Sequence, residues 1–229
     1  MSERLRVAFV GEGPTDKVVV ESALSSMLGE RRFILKQLQP EESLPFGPIG
    51  TGWVGVYRWC RQAVARSGGA LRNDVLYLSY DVLMLHLDAD VADRSYADGA
   101  IEATVQDLPC VQPCHPPSAS TNPFRHVLLR WVGESEVPLR TVLCTPSKST
   151  EAWVVAALFP HDMAVNRGIE CWPNPENRLA QQPHDQRIRK SQQDYQSRSD
   201  DLKAAWPWLA RTLDEARRFQ EELLAALPP

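Results

Sequence analysis

Three short stretches of this chain bring acids to places where oxygen-ligand chemistry could be assembled. They are Gly11-Glu12-Gly13-Pro14-Thr15-Asp16, Asp88-Ala89-Asp90 and Pro146-Ser147-Lys148-Ser149-Thr150-Glu151. Carboxylates gathered in one place repel each other and are costly to hold unless a cation neutralises them. Ligands that are all oxygen suit Mg²⁺ or Mn²⁺. A cation so held polarises a phosphoryl oxygen, stabilises a leaving oxygen or activates water, and two ions about 4 Å apart clamp both oxygens of a displacement. Glu12, Asp88 and Asp90 are the first candidates, as metal ligands and as catalytic acids. Asp16 and Glu151 would complete a second metal position, and Lys148 would neutralise charge developing on a phosphate.

Simpler roles compete for each residue. An acid at the start of a helix is favoured by the helix dipole alone, which covers Glu12, Asp16 and Glu151. A lone Asp-x-Asp turn is commonly just solvated, and the same motif serves glycosyltransferases and opens one class of phosphatases. The phosphatase pattern needs the motif on the first strand and Thr or Val where Ala92 stands. A glycosyltransferase leaves the Glu12 stretch without a purpose. His86, in strand phase with Asp88, fits a satisfied core histidine better than a ligand. Cys110, Cys114 and His115 have zinc-ligand chemistry, but a structural zinc site takes four ligands from two pairs, and Cys144 and Cys171 stand apart in sequence. Residues 47–55 lack the Lys-Ser/Thr ending of a phosphate-binding loop.

The acids need elements that carry them to one edge. Residues 5–10 form an apolar, β-rich run that stops at Gly11, and residues 33–38, 82–87 and 140–144 read the same way. Helical patterns lie between them at 18–28, 54–67, 96–107 and 123–132, and follow at 148–159, with Pro14 placed for a first helical turn. The Pro- and Gly-dense residues 40–52 read as a loop. Strands alternating with helices predict an α/β fold with a mainly parallel sheet covered on both faces. Such a sheet gathers ligands at the carboxyl ends of its strands. Residues 1–160 are therefore read as one metal-binding α/β domain. Residues 161–229 are read as a mostly helical appendage, a polar arm and then one amphipathic helix over 201–227 packing on the core. In the arm, Arg178, Arg187, Arg189, Lys190 and Arg198 outnumber Asp185 and Asp194, with Tyr195 nearby, a pattern able to track a phosphate backbone.

The 229 residues are 43% hydrophobic, enough for a sizeable core, and the formal charge is -4. A protein gripping nucleic acid by charge alone would be basic, so binding would need a local basic surface or bridging metal ions. No run approaches a membrane span, and no secretory signal is read at the start. The five cysteines are odd in number, and reduced thiols in a cytoplasmic setting are the expectation.

The order of these motifs resembles the Toprim superfamily of topoisomerases, primases and nucleases. Glu12 in Gly-Glu-Gly-Pro-Thr-Asp and Asp88/Asp90 in Leu-His-Leu-Asp-Ala-Asp match its glutamate and its Asp-x-Asp motif. The form of the first motif, with Asp16 four positions on, is similar to the OLD-like branch and to small stand-alone bacterial relatives. Residues 145–153, ending Ser-Thr-Glu-Ala-Trp, resemble a third family feature. The resemblance covers roughly residues 5–160. It implies a Toprim/Rossmann-like sheet and Mg²⁺- or Mn²⁺-dependent nuclease chemistry by metal-activated water, with a role in bacterial defence or DNA maintenance. The implied partner is nucleic acid, DNA in preference to RNA. The chain lacks the ATPase domain of OLD-type proteins and has no assignable nucleophilic Tyr. The alternative is thus a non-catalytic or partner-dependent subunit, for instance with an ATPase.

Overall fold

The computed structural model describes residues 4–41, 49–162, 165, 168–183 and 187–228. Part of the loop expected over 40–52 and Asp185 of the arm lie outside them. The described residues form a four-stranded sheet with strand order β2-β1-β3-β4, where β1 is Leu5–Val10, β2 Phe33–Gln39, β3 Val82–His86 and β4 Thr141–Cys144. Every pairing is parallel. The strands begin and end within two residues of the sequence expectation, because β3 and β4 are buried throughout and β1 is buried except at Arg6.

Period-two alternation divides the core in two. Val7, Phe9, Val82, Met84, Val142 and Cys144 face one side, while Ala8, Val10, Leu83, Leu85 and Leu143 face the other. Helix α1 (Pro14–Met27) covers the first face and helix α2 (Gly52–Arg66) the second. After α2 come a short helix α3 (Leu76–Ser79) and then α4 (Ser118–Trp131), which joins α2 on that second face. The chain leaves β1 for β2 on one side, then returns past β1 to reach β3. The crevice beyond the carboxyl ends of β1 and β3 is therefore the switch point of the sheet, where open α/β sheets place their ligands.

Helix α5 (Glu151–Leu158) and the C-terminal helices complete the first face. Two single-turn helices, α6 (Glu176–Ala180) and α7 (Gln192–Gln196), punctuate the polar arm. The expected single helix over 201–227 is two helices, α8 (Ser199–Thr212) and α9 (Asp214–Ala226), broken at Leu213. The break has a remote cause. Glu170 accepts hydrogen bonds from the N–H groups of Asp214 (2.7 Å) and Glu215 (2.9 Å), capping a second helix start inside the amphipathic run. Trp153 of α5, Trp206 of α8 and Phe219 of α9 pack ring against ring at 5.4–5.8 Å and lock these helices together.

Helix α9 also covers the edge of β4. Glu222 accepts from Leu143 N–H (3.3 Å) and pairs with Arg125 of α4, which donates to Leu143 O at 2.6 Å. These side chains replace the neighbouring strand that an open edge would otherwise recruit.

Two further expectations are corrected. Residues 96–107 hold only a 3₁₀ turn, Tyr96–Gly99, because Ala100 takes a left-handed conformation (φ 50°) that ends it. The cysteines are not all reduced: Cys114 and Cys171, 57 residues apart in sequence, form a disulfide. Among the described residues no helix is long and apolar enough to cross a membrane.

Candidate metal centre

Beyond β1, the turn is built so that two acids point back across the switch point. Gly11 lies over the Phe9 ring, where an added Cβ would come within 2.6 Å of two ring atoms. Gly13 then caps α1, and Asp16 in the first turn accepts its N–H at 3.1 Å. Asp16 is thus the helix-capping acid of the simpler reading, yet its side chain is buried at the strand ends rather than solvated. Glu12 reaches across to β3, where one carboxylate oxygen accepts Asp88 N–H at 3.0 Å.

The segment after β3 remains zipped to the segment after β4. Leu87, Ala89 and Asp90 donate their N–H groups to the carbonyls of Cys144, Pro146 and Lys148, each at 3.0 Å. Asp88 is held from this second segment too: Thr150 gives it both a backbone N–H (3.0 Å) and its hydroxyl (2.9 Å), on the same carboxylate oxygen. With its proton committed to Asp88, the Thr150 hydroxyl can only accept from His86 Nε2 at 2.9 Å. His86 is fully buried, and burial drops its pKa to about 3, so the ring is neutral with its proton on Nε2. The chain His86–Thr150–Asp88 orients one carboxylate. Among the described residues, Asp16, His86 and Asp88 each offer a ligand atom, all within 4.8 Å of one another.

Burial and mutual repulsion raise every acid of the group for which a shift is resolved. Glu12 rises to about 8, through burial and then its neighbours Asp16 and Asp90. Asp16 rises to about 7, through burial and then Glu151. Asp88 is held well above the usual carboxylate range by burial, then by Asp16 and Glu12. The half-buried Asp90 is also raised, chiefly by burial, with Arg94 and Lys190 opposing. Glu151 sits at the start of α5 with its side chain almost wholly buried, and its Oε2 has no hydrogen-bond partner among the described residues.

That geometry fits a hard divalent cation. The donors are mostly carboxylate oxygens, their electrostatics favour added positive charge, and a buried carboxylate oxygen stands unpaired. His86 meets Thr150 through Nε2, while its buried Nδ1 has no hydrogen-bond partner among the described residues.

Lys148, the cation expected from the sequence, turns aside to Asp93 (3.5 Å). The cation that faces the acids comes from the polar arm. Lys190 Nζ lies 2.9 Å from Glu151 Oε1, and Tyr195 of α7 donates to the same oxygen at 3.0 Å. Burial would lower the Lys190 pKa, but Glu151, Asp88 and Asp16 more than reverse that and raise it. Tyr195 is fully buried and its hydroxyl is raised by burial and by Glu151. Thr150, Lys190 and Tyr195 are the site residues that motif reading did not assign. The only sequence signal for the last two was the basic excess of the arm beside Tyr195. No protein family, no curated protein and no solved structure was found to match this chain.

Proposed function

We propose that this chain is a divalent-metal-dependent nuclease of Toprim type, hydrolysing phosphodiester bonds at the crevice between the ends of β1 and β3. The observation that carries the reading is the convergence of Glu12, Asp16, Asp88, Asp90 and Glu151 from three strand ends onto one edge, where burial and mutual repulsion raise the pKa values of Glu12, Asp16, Asp88 and Asp90. Asp16, Asp88, Glu12 and Asp90 would hold Mg²⁺ or Mn²⁺. Once bound, such an ion supplies an activated water and charge stabilisation on the phosphoryl oxygens.

The protein's own residues supply the rest. Thr150 and His86 fix the Asp88 carboxylate in one orientation, which sparsely coordinated Mg²⁺ demands of its few protein ligands. Glu12, anchored by the Asp88 N–H, is positioned either to bind the cation or to pass a proton beside it. Lys190 stands where it can offset charge on a bound phosphate.

The test is cleavage of labelled single- and double-stranded DNA and RNA by the purified chain with Mg²⁺, with Mn²⁺ and with chelator. The reading expects metal-dependent products, with DNA preferred, that vanish in an Asp88→Ala/Asp90→Ala variant. Products that persist in the double variant would overturn it. Silence on every substrate from folded protein would overturn a stand-alone nuclease and favour a subunit activated by a partner such as an ATPase.

A further inference from the structure

A second group of metal-ligating side chains lies outside the acid site. Cys114 and Cys171 are joined with their Cα atoms 5.6 Å apart. His115 Nδ1 lies 3.6 Å from Cys171 Sγ. The imidazole is seated against bare backbone: at Gly168 (φ 142°), an added Cβ would stand 3.0 Å from His115 Cε1 and 3.1 Å from Nε2. Cys171 is fixed by its N–H to the Gly168 carbonyl at 2.8 Å, so the glycine that admits the ring also sets the position of the sulfur. Two sulfurs and a ring nitrogen from two distant segments thus share one half-exposed spot.

We infer that Cys114, His115 and Cys171 form a soft-metal site that is closed by the disulfide and takes one Zn²⁺ when the chain is reduced. Zinc with Zn–S near 2.3 Å and Zn–N near 2.05 Å in a tetrahedron separates sulfur from nitrogen by about 3.6 Å. The observed Sγ···Nδ1 distance already has that value. The two sulfurs must part to about 3.8 Å for the same geometry, which side-chain rotation provides once the bond is opened.

Opening requires a dithiol. One of its thiolates attacks a cystine sulfur and expels the other protein sulfur as a thiolate. Its second thiolate then attacks the mixed disulfide and expels the remaining protein thiolate, so that two electrons pass to the protein and the reagent leaves as a cyclic disulfide. The two protein thiols then bind Zn²⁺ as thiolates and release two protons, with water as the fourth ligand. Cys60 and Cys144 are buried in the two halves of the core and take no part. The inference is independent of the acid site.

The test uses the whole chain, reduced with dithiothreitol, desalted without oxygen and alkylated with iodoacetamide with and without Zn²⁺. Alkylation is followed at each cysteine by mass spectrometry. Zn²⁺ is expected to slow modification of Cys114 and Cys171 at least about tenfold, the scale on which metal-site changes register, and to leave Cys110 unaffected. His115→Ala should lose most of the protection and Asp88→Asn should keep it. Co²⁺ should give a near-ultraviolet thiolate band in the reduced chain only. Equal rates with and without Zn²⁺, or protection untouched by His115→Ala, would overturn the inference. If reduction unfolds the chain, Zn²⁺ should restore the circular dichroism of the fold, and failure to do so would equally overturn it.

Discussion

Asp88 shows how a single carboxylate is specified. It carries two donors from Thr150 on one oxygen, a backbone N–H that anchors Glu12, and repulsion from Asp16 and Glu12 that a cation would relieve. Thr150→Val keeps the shape and the backbone bond but removes the hydroxyl. Loss of a hydrogen bond orienting a metal ligand typically costs a factor of about ten or more in affinity, so Mn²⁺ titration of this variant should show at least that loss. The raised acids also fix a pH dependence. Glu12 and Asp16 hold their protons to about pH 8 and 7 in the fold, but only to ordinary carboxylate pKa values when unfolded. The folded state therefore binds more protons across that interval, and stability falls as pH rises through it. Urea denaturation of metal-free protein should give a falling midpoint from pH 4 to pH 8, and Mg²⁺ should restore much of the loss at the upper end. A midpoint rising over that interval would mean that the acids are not pressed together.

At the scale of elements, the polar arm is the surprise. Its composition suggests a solvated segment, but Ile188 and Tyr195 are buried, and Ser191 caps α7 by accepting from Asp194 N–H. These anchors deliver Lys190 to Glu151. In the absence of metal Lys190 is a counter-charge to the acids, paired with Glu151, and burial makes that charge effective. Lys190→Met should lower the Tm of the metal-free protein and enlarge the Tm rise on adding Mg²⁺, since the added cation would then relieve more repulsion. An unchanged Mg²⁺ effect in thermal melts would show that the arm does not report on the metal position. At the opposite edge of the sheet, Arg125 and Glu222 occupy the hydrogen-bonding groups of β4, so α9 closes the sheet as well as covering its face.

Over the whole molecule, stability comes from two apolar layers on either side of one sheet, and α8 and α9 are part of the first of them. The disulfide adds a covalent tie between the segment after β3 and the 3₁₀ turn Ile169–Cys171. A loop of that 57-residue separation carries about 4 kcal/mol of closure entropy in the chain-entropy treatment. Cys114→Ser should therefore lower unfolding free energy by up to about 4 kcal/mol, measured by denaturant titration without added zinc. An effect near zero would mean that the unfolded chain is already constrained there.

The order of apolar runs and acidic turns along the chain was enough to specify the sheet, its parallel sense and the edge where the acids meet. Strands buried on both faces must be continuously apolar, and a run such as Val82–His86 ending in Asp88 and Asp90 states both its element and its direction. Glu12, Asp16 and Glu151 were legible for the same reason, since each lies within a few residues of a strand end. The remaining features depend on partners distant in sequence. Lys190 could not be preferred to Lys148, because the arm reaches the acids through buried Ile188 and Tyr195, not through any local pattern. The break at Leu213 follows from Glu170, which caps Asp214 from 44 residues away. Cys171 stands apart from Cys114 and His115 along the chain and meets them in space. Local periodicity reports what a segment buries, whereas caps, counter-charges and sulfur pairs are set by which segments the completed core brings together.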